Sequence, residues 1–448
     1  MIVAHGIGSR ADLPLPFWIV ALGAATILVA SFILLGMLWT KSSFGDGAGR
    51  RVLGRGWQVA ARVAEVCLRV AGLAIFVIVL VAALGGHANP AINVTPVVVY
   101  IAFWVGLQVV SAILGDVWRW LSPFETISLV AVRLRRRIAP AAADSVPSER
   151  PGAAAGPWIG AVLLLGFAWI ELISVTPDDV RVLGWAIVTY SVIMLAGAAV
   201  WGRGWLRGAD GFAAYFSMLG AMGIFCRDES GRDEPRRLCL RAPLRGLAGL
   251  ELTPAQVAVV LIALGSTTYD GFSGTQLWAD TVGNPTELSG VLVGSLGLVV
   301  TIGIVSLAYI IATREAARSL DSDHGDVVLR YAHSLIPIAA AYTVAHYFSL
   351  LVFEAQQLIP LASDPFGFGF DFFGTAHYGL NFTYVSATVI AVVQVAAIVI
   401  GHIAGVFVAH DRALGDAGRT AAIKSQIPLL VVMLAYTIGG MLILMNAE

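Results

Sequence analysis

Long apolar runs recur along the whole chain, and they constrain its fold more than any other feature. A helix needs about 20 mostly apolar residues to cross the hydrocarbon core of a membrane. Hydrophobic residues make up 58% of the 448 residues and charged residues 13%, against about a quarter charged in soluble proteins. Only helices and closed barrels satisfy the backbone in lipid, and these runs lack the short alternating segments of a barrel. The sequence therefore predicts an all-α, polytopic transmembrane helical bundle.

Ten of these runs are candidates for membrane spans, so we expect about ten spans in one integral membrane domain covering residues 1–448. The second and the sixth have short apolar cores and need their flanking residues to reach across. The candidates are Phe17–Trp39, Val70–Leu84, Val94–Leu114, Trp158–Ser174, Leu183–Val200, Ala255–Tyr269, Leu288–Ala312, Val328–Leu358, Val385–Val408 and Ile427–Met445.

Lysine and arginine concentrate in every second loop between these runs. Cytoplasmic loops of membrane proteins carry an excess of these residues, so the basic loops are predicted to lie inside and both termini outside. We therefore expect a multi-pass protein of the plasma membrane, with the lipid bilayer as its main partner. The basic loops face anionic lipid, and nucleic acid is not expected as a partner.

Three loops are long enough to have a role of their own. The inner loop 133–157 is rich in Ala, Pro and Ser, which is typical of a flexible linker. The inner loop 202–252 begins with an apolar half that is expected at the membrane interface, and its segment "DESGRDEP" indicates a small hairpin. The outer loop 359–384 is dense in Phe and Gly, which suits either a lid over a site or an aromatic belt.

Ionisable side chains within the spans are the candidates for function, because they are costly in lipid and usually face the bundle interior. A rise of about 1.5 Å per residue sorts these side chains by depth into two predicted clusters. The outer cluster comprises Glu171, Tyr269, Asp270, His346 and Glu354, with His377 of the outer loop as a further candidate. The inner cluster comprises His333, His402, His410 and Asp411.

Histidine together with carboxylates can bind a divalent metal ion, act as acid and base, or relay protons. For catalysis the candidate residues are His346, Asp270, Glu171 and Glu354. A divalent metal, zinc or copper, is possible, with His346, His333 and His402 as candidate ligands. The alternative for each residue is a hydrogen bond between helices with no further role. The three cysteines show no CxxC spacing, so the sequence indicates neither a zinc knuckle nor a disulfide framework.

Five segments, taken as a set, carry a resemblance that covers nearly all of the chain. They are "AHGIGSRADLPLP", "LGDVWRWLSPFETI", "LGSTTYDGFSGTQLW", "AHSLIPIAAAYTVAHYFSLLVFEAQ" and "GHIAGVFVAHDRAL". With these segments the chain resembles a family of polytopic bacterial membrane proteins, common in actinobacteria, many of which are named fenitrothion hydrolase. The resemblance implies hydrolysis of an organophosphate triester, a small apolar substrate, with release of a phenol.

Three interpretations of function stay open at the level of sequence. The first is a membrane-embedded hydrolase of organophosphate-type esters, although no GxSxG or HExxH motif is present. The second is a transporter or permease that uses the buried charged groups as a proton or ion pathway. The third is a non-catalytic or metal-handling subunit, or an assembly factor, of a membrane complex.

Overall fold

The computed structural model describes residues 17–42, 49–138, 156–228, 237–283, 287–416 and 418–446. Nine helices in these ranges are long and apolar enough to cross a membrane. They confirm the predicted all-α, multi-pass membrane fold. The fourth predicted span, Trp158–Ser174, corresponds to the shorter apolar helix Gly156–Leu172. Its 17 residues lie at the lower end of the usual range of about 17–25 for a spanning helix.

Some predictions fall outside the described residues or are not decided by them. Most of the predicted linker in loop 133–157 and the segment "AHGIGSRADLPLP" lie outside the described residues. The plasma membrane as location and the outer position of both termini stay predictions.

The elements are numbered here in chain order. The helices are α1 (Phe17–Leu38), α2 (Arg55–Gly85), α3 (Val94–Leu114), α4 (Trp118–Leu121), α5 (Pro123–Ile138), α6 (Gly156–Leu172), α7 (Val180–Trp201), α8 (Gly204–Ala209), α9 (Gly211–Gly220), α10 (Pro254–Ser273), α11 (Gln276–Val282), α12 (Glu287–Leu320), α13 (His324–Ala332), α14 (Leu335–Phe353), α15 (Leu358–Ser363), α16 (Ala387–Asp416) and α17 (Arg419–Asn446). The strands are β1 (Arg51–Val52), β2 (Phe225–Asp228) and β3 (Arg237–Leu240).

The chain groups into two compact units, and each unit is discontinuous in sequence. The first unit comprises Met1–Gly49, Leu244–Phe353 and Asn381–Glu448, and the second comprises Arg50–Pro243 and Glu354–Leu380. The first therefore contains α1, α10 to α14, α16 and α17. The second contains α2 to α9, the three strands and α15. The single membrane domain over residues 1–448 stays a prediction.

Helices α14 and α16 of the first unit approach each other closely because α16 presents glycines at the contact. A Cβ atom added at Gly401 would lie 2.1 Å from Cβ of Ala341, and one added at Gly405 would lie 2.9 Å from the carbonyl oxygen of Ser334. Small residues permit such close backbone contact between membrane helices. This contact fixes the distance between the two helices that carry His346 and His402.

The predicted span Val328–Leu358 is present as the apolar helical run Leu335–Ser363, but the residues from Val328 onward do not form one continuous helix. Helix α13 ends at Ala332 and α14 begins at Leu335, so the helix is interrupted at His333 and Ser334. Pro337 explains the interruption in part, since proline lacks an amide hydrogen and is tolerated in the first turn of a helix. A short 3-10 segment, Glu354–Gln357, follows α14.

The strands of the second unit form a small antiparallel sheet in the order β1-β3-β2. Strands β2 and β3 flank the segment for which the sequence indicated a hairpin, and their pairing confirms it. Cys226 lies opposite Cys239 in the register and forms a disulfide with it. The cysteine spacing gave no sign of this pair, because the two residues come together only through the register of the hairpin.

We expect Gly401→Ala to lower the free energy of unfolding by about 1–3 kcal/mol, the usual cost of extra atoms in a packed core. The new methyl group would collide with Ala341 and push α14 away from α16. Gly439→Ala on α17 is the matched control, because a Cβ there meets no atom within 4 Å and alanine favours a helix over glycine. Thermal unfolding in detergent measures both variants. Equal melting temperatures for the two would contradict the close contact.

Candidate functional site

Asp270 and His346 form the centre of the candidate site in the first unit. Asp270 lies in the last turn of α10 and His346 in the middle of α14. His346 Nε2 lies 2.8 Å from Asp270 Oδ2, and the hydroxyl of Tyr347 donates to the same oxygen at 2.9 Å. The His346 and Asp270 side chains are only 10% and 11% exposed. A carboxylate in a membrane span is costly unless it is paired, and here two donors stabilise it.

A series of aromatic rings leads away from this pair through the first unit. Tyr342 stacks on His346 with ring centroids 6.4 Å apart, and Tyr436 of α17 lies 5.5 Å from Tyr342. The hydroxyl of Tyr436 donates to that of Thr268 at 2.8 Å, because the single hydrogen of the Thr268 hydroxyl is donated to the carbonyl oxygen of Leu264 at 2.7 Å. The rings and hydroxyls thus connect α10, α14 and α17.

His402 of α16 ends this series. Its ring centroid lies 6.2 Å from that of Tyr436, and its side chain is buried. Nδ1 lies 2.7 Å from the carbonyl oxygen of Ile398. Because a carbonyl oxygen only accepts, Nδ1 carries the proton, and the lone pair of the neutral ring is on Nε2. Nε2 has no hydrogen-bond partner among the described residues.

These side chains form one continuous set, which we call the histidine–tyrosine column. It reaches from the Asp270–His346 pair, with Tyr347 beside it, to His402. The column comprises His346, Tyr347, Tyr342, Tyr436 and His402.

His333 does not belong to the column. It occupies the interruption between α13 and α14, where Nε2 lies 2.7 Å from the carbonyl of Leu250 and Nδ1 lies 3.0 Å from that of Arg330. The guanidinium of Arg412 donates to the same Leu250 carbonyl at 3.2 Å. Both ring nitrogens of His333 face carbonyl oxygens, so the imidazole presents no free nitrogen to a metal ion in this arrangement.

His410 and Asp411 hold the cytoplasmic half of α16, as defined by the predicted topology, to the end of α1. His410 Nε2 lies 3.2 Å from the carbonyl of Trp39. Asp411 accepts hydrogen bonds from the indole of Trp39 and the hydroxyl of Ser42, each at 3.0 Å. These contacts connect α16 to the residues that follow α1. They agree with the alternative stated above, a hydrogen bond between helices.

Glu171 and Glu354 belong to the second unit, whereas the other candidate residues belong to the first. Glu171 is buried near the end of α6 and acts electrostatically on Tyr100 of α3. Glu354 begins the 3-10 segment after α14, and its carboxylate accepts a hydrogen bond from Gln357. Their catalytic roles stay predictions.

No group of three His, Cys, Asp or Glu side chains that could hold a metal ion occurs in the ranges that the structure describes. The three candidate ligands lie in different settings. His346 pairs with a carboxylate and His333 binds two carbonyls. His402 has a nitrogen lone pair but belongs to no group of three potential ligands among the described residues. A zinc or copper site at these histidines stays a prediction, and the donor set does not favour it.

The sequence did not point to Tyr436, Tyr347 or Thr268 as members of a site. Tyr436 is a single tyrosine in the apolar span α17, and only the packing of α17 on α10 and α14 gives it polar neighbours. One feature of the sequence could have indicated Tyr436: it is a phenol in the middle of a span that has few other polar groups.

Searches for related proteins found no matching protein-family model, no matching curated protein and no matching solved structure. The resemblance to the proteins named fenitrothion hydrolase therefore stays a prediction. What is known about the site comes from the geometry of this chain alone.

Asp116 is an ionisable group of the second unit that lies between α3 and α4, outside the spans. It belongs to the segment "LGDVWRW" and accepts a hydrogen bond of 3.4 Å from the amide of Arg119. Burial raises the pKa of Asp116 to about 7, although the Arg227 guanidinium acts in the opposite direction. The folded protein therefore keeps the Asp116 proton up to about pH 7. In an unfolded chain the pKa has its ordinary value of 3.8, so the proton is lost at a much lower pH.

We expect Asp116 to make the protein less stable as the pH rises from about 4 to about 7, because the folded state binds the proton more tightly than the unfolded state. In Asp116→Asn this loss is absent, since an amide resembles the protonated acid and does not titrate. The difference in melting temperature, variant minus wild type, is thus expected to be larger at pH 8 than at pH 5. A difference that is independent of pH would contradict the raised pKa.

Proposed function

We propose that the first unit conducts protons along the histidine–tyrosine column, as a proton-linked permease or proton pathway of the membrane. The observation that carries the proposal is the connection from the Asp270–His346 pair, through Tyr342 and Tyr436, to His402. Ionisable residues inside membrane spans commonly mark proton relays and ion pathways. The following steps use only groups within the first unit.

The Asp270–His346 pair is the proton-loading end of the proposed pathway. Histidine changes charge near neutral pH more readily than any other side chain. A carboxylate 2.8 Å from Nε2 stabilises the protonated ring and can accept a proton when the ring is neutral. The pair has no net charge while it holds the proton. When the proton leaves, the negative charge on Asp270 is stabilised by the hydrogen bonds from His346 and Tyr347. Tyr347 donates to the carboxylate and fixes its orientation.

The hydroxyl groups of Tyr436 and Thr268 supply the next step. Tyr436 donates to Thr268, and the Thr268 hydroxyl donates to the carbonyl oxygen of Leu264. The bond reverses direction if the Thr268 hydrogen turns from Leu264 towards Tyr436. Tyr342 lies between His346 and Tyr436 and brings a second phenol into the same series. Passage between rings that are not directly hydrogen-bonded would require a side-chain movement or a water molecule.

His402 is the proton acceptor at the other end. Nδ1 is held by the carbonyl of Ile398, so only Nε2 can gain a proton. Its buried lone pair is costly to leave without a partner, and a function in proton transfer accounts for that cost.

The test is proton flux into vesicles that contain the purified protein and a pH-sensitive dye, driven by a potassium diffusion potential. We expect Asp270→Asn to reduce the flux at least about tenfold, since positioned acid–base groups typically contribute about 10² to 10⁴ in rate. Tyr436→Phe removes one hydroxyl and keeps the ring, and it is expected to reduce the flux severalfold. The matched control is Tyr384→Phe, which removes the hydroxyl of a tyrosine that is 63% exposed and outside the column.

Three results would contradict the proposed function. They are no flux above protein-free vesicles, an unchanged flux in Asp270→Asn, and an equal loss of flux in Tyr436→Phe and Tyr384→Phe. Melting temperatures of all variants show whether a loss of flux is caused by unfolding.

A second candidate function is the hydrolysis of apolar organophosphate esters, which the resemblance implies. One geometric observation favours it: the 2.8 Å contact between His346 and Asp270 is the arrangement of a general base and the carboxylate that orients it. The proposed chemistry is activation of water by His346, attack on phosphorus and departure of the phenol.

The hydrolysis candidate is tested with purified protein and an organophosphate triester that has a nitrophenol leaving group. Release of nitrophenol by the wild type and its loss in His346→Asn would support a hydrolase. No release by the wild type, together with proton flux, would leave the proton pathway as the function.

A further inference from the structure

A large apolar cavity lies within the second unit, and none of its lining residues belongs to the histidine–tyrosine column. Its volume is about 650 Å³, which is within the range of about 300–1,000 Å³ for ligand sites. Helices α2, α3, α6 and α7 supply most of its walls, and Phe212 of α9 contributes one ring. These four helices are all apolar, and three of them are long enough to be spans.

The cavity is elongated along the helices. Its lining on α7 runs from Val182 to Ile193, a length of about 16 Å at the rise of an α-helix. On α6 its lining residues follow the spacing of one helix face, at Leu163, Gly166, Phe167 and Ile170. A slot of this shape fits a hydrocarbon chain that runs parallel to the helices.

Part of the wall on α3 has an unusual backbone. Residues Val97–Gly106 form a π-helical segment, and Val98, Val99, Ala102 and Phe103 from this segment line the cavity. π-helical turns are rare and often occur at functional sites. Ten consecutive residues in this conformation thus coincide with the wall of the cavity.

Polar groups are concentrated at one end of the slot. Trp118 and Tyr190 line the cavity there, and both donate to the buried carboxylate of Asp210, at 3.2 Å and 2.8 Å. At the opposite end the lining consists of aliphatic side chains such as Val79, Val182 and Leu183. The lining of the cavity therefore matches an amphiphilic ligand, because one end is polar and the long remainder is apolar.

We propose that this cavity binds the hydrocarbon tail of a membrane lipid, with the lipid entering sideways past α7. Val182 and Trp185 line the cavity and are also exposed, so the rim opens on the outer surface of this helix. In a membrane the molecules at that surface are lipids, whereas water does not fill an apolar cavity. This inference is independent of the proposed proton pathway.

The test uses a phosphatidylcholine with a photoactivatable diazirine in its acyl tail, in phosphatidylcholine vesicles that contain the full chain. After illumination, mass spectrometry locates the cross-linked residues. The variant is Gly166→Phe, because Gly166 lines the cavity and a Cβ added there meets no atom within 4 Å. The ring can thus fill the slot without a clash at the backbone. The matched control is Gly303→Phe on α12, where the added Cβ also meets no atom within 4 Å.

We expect cross-links to cavity residues such as Phe76, Phe167 and Tyr190 in the wild type and in Gly303→Phe. In Gly166→Phe these cross-links are expected to fall at least about fivefold, while cross-links to the exposed face of α12 stay unchanged. Absence of cavity cross-links in the wild type would overturn the proposal, as would an equal yield in Gly166→Phe. If Gly166→Phe fails to fold, Gly166→Leu serves as the filling variant with the same expected outcomes.

Discussion

The contact between His346 and Asp270 is the interaction on which the arrangement of the first unit depends. A carboxylate at the end of α10 and an imidazole in the middle of α14 are each costly in a membrane, but together they satisfy each other at 2.8 Å. This pairing requires α10 and α14 to pack in one register. Gly401 lets α16 approach α14, and that approach brings His402 into the same set of side chains. A polar contact and the small residues at the contact of α14 with α16 thus contribute to the packing of these mostly apolar helices.

The polar groups of the second unit are arranged differently from those of the first. Several of its charged side chains pair with each other, whereas Glu171 and Asp210 are buried carboxylates. Glu65 binds both Arg69 and Arg227, and Glu125 binds Arg203. The cavity between α2, α3, α6 and α7 is lined mostly by apolar side chains, whereas the first unit has protonatable groups between its helices. The two proposals thus assign different roles to the two units, proton transfer to the first and binding of a lipid tail to the second.

Much of the fold follows from the sequence, because the length of an apolar run fixes whether a helix can span a membrane. Depth along the spans also brought Asp270 and His346 to one level, and they are in contact. Three features could not be predicted. The interruption at His333 depends on the contact of its ring with the carbonyl of Leu250. The neighbours of Tyr436 depend on which helices pack together. The assignment of Glu171 and His346 to different units depends on how the helices group. Each depends on contacts between helices, and the residue pattern within one span does not predict such contacts.

The unequal ends of the histidine–tyrosine column determine where a proton would rest. At His346 a carboxylate compensates the positive charge of a protonated ring. At His402 no carboxylate of the described residues forms a hydrogen bond with the ring, and the one bonded neighbour is a carbonyl. A charge without a counter-ion in a protein interior costs several kcal/mol. In the proposed pathway the proton would therefore rest at the Asp270–His346 pair and would occupy His402 only in passing. Proton transfer in this unit would then be limited by the step from the phenols to His402, and the partner that removes the proton from His402 would set the direction of flow.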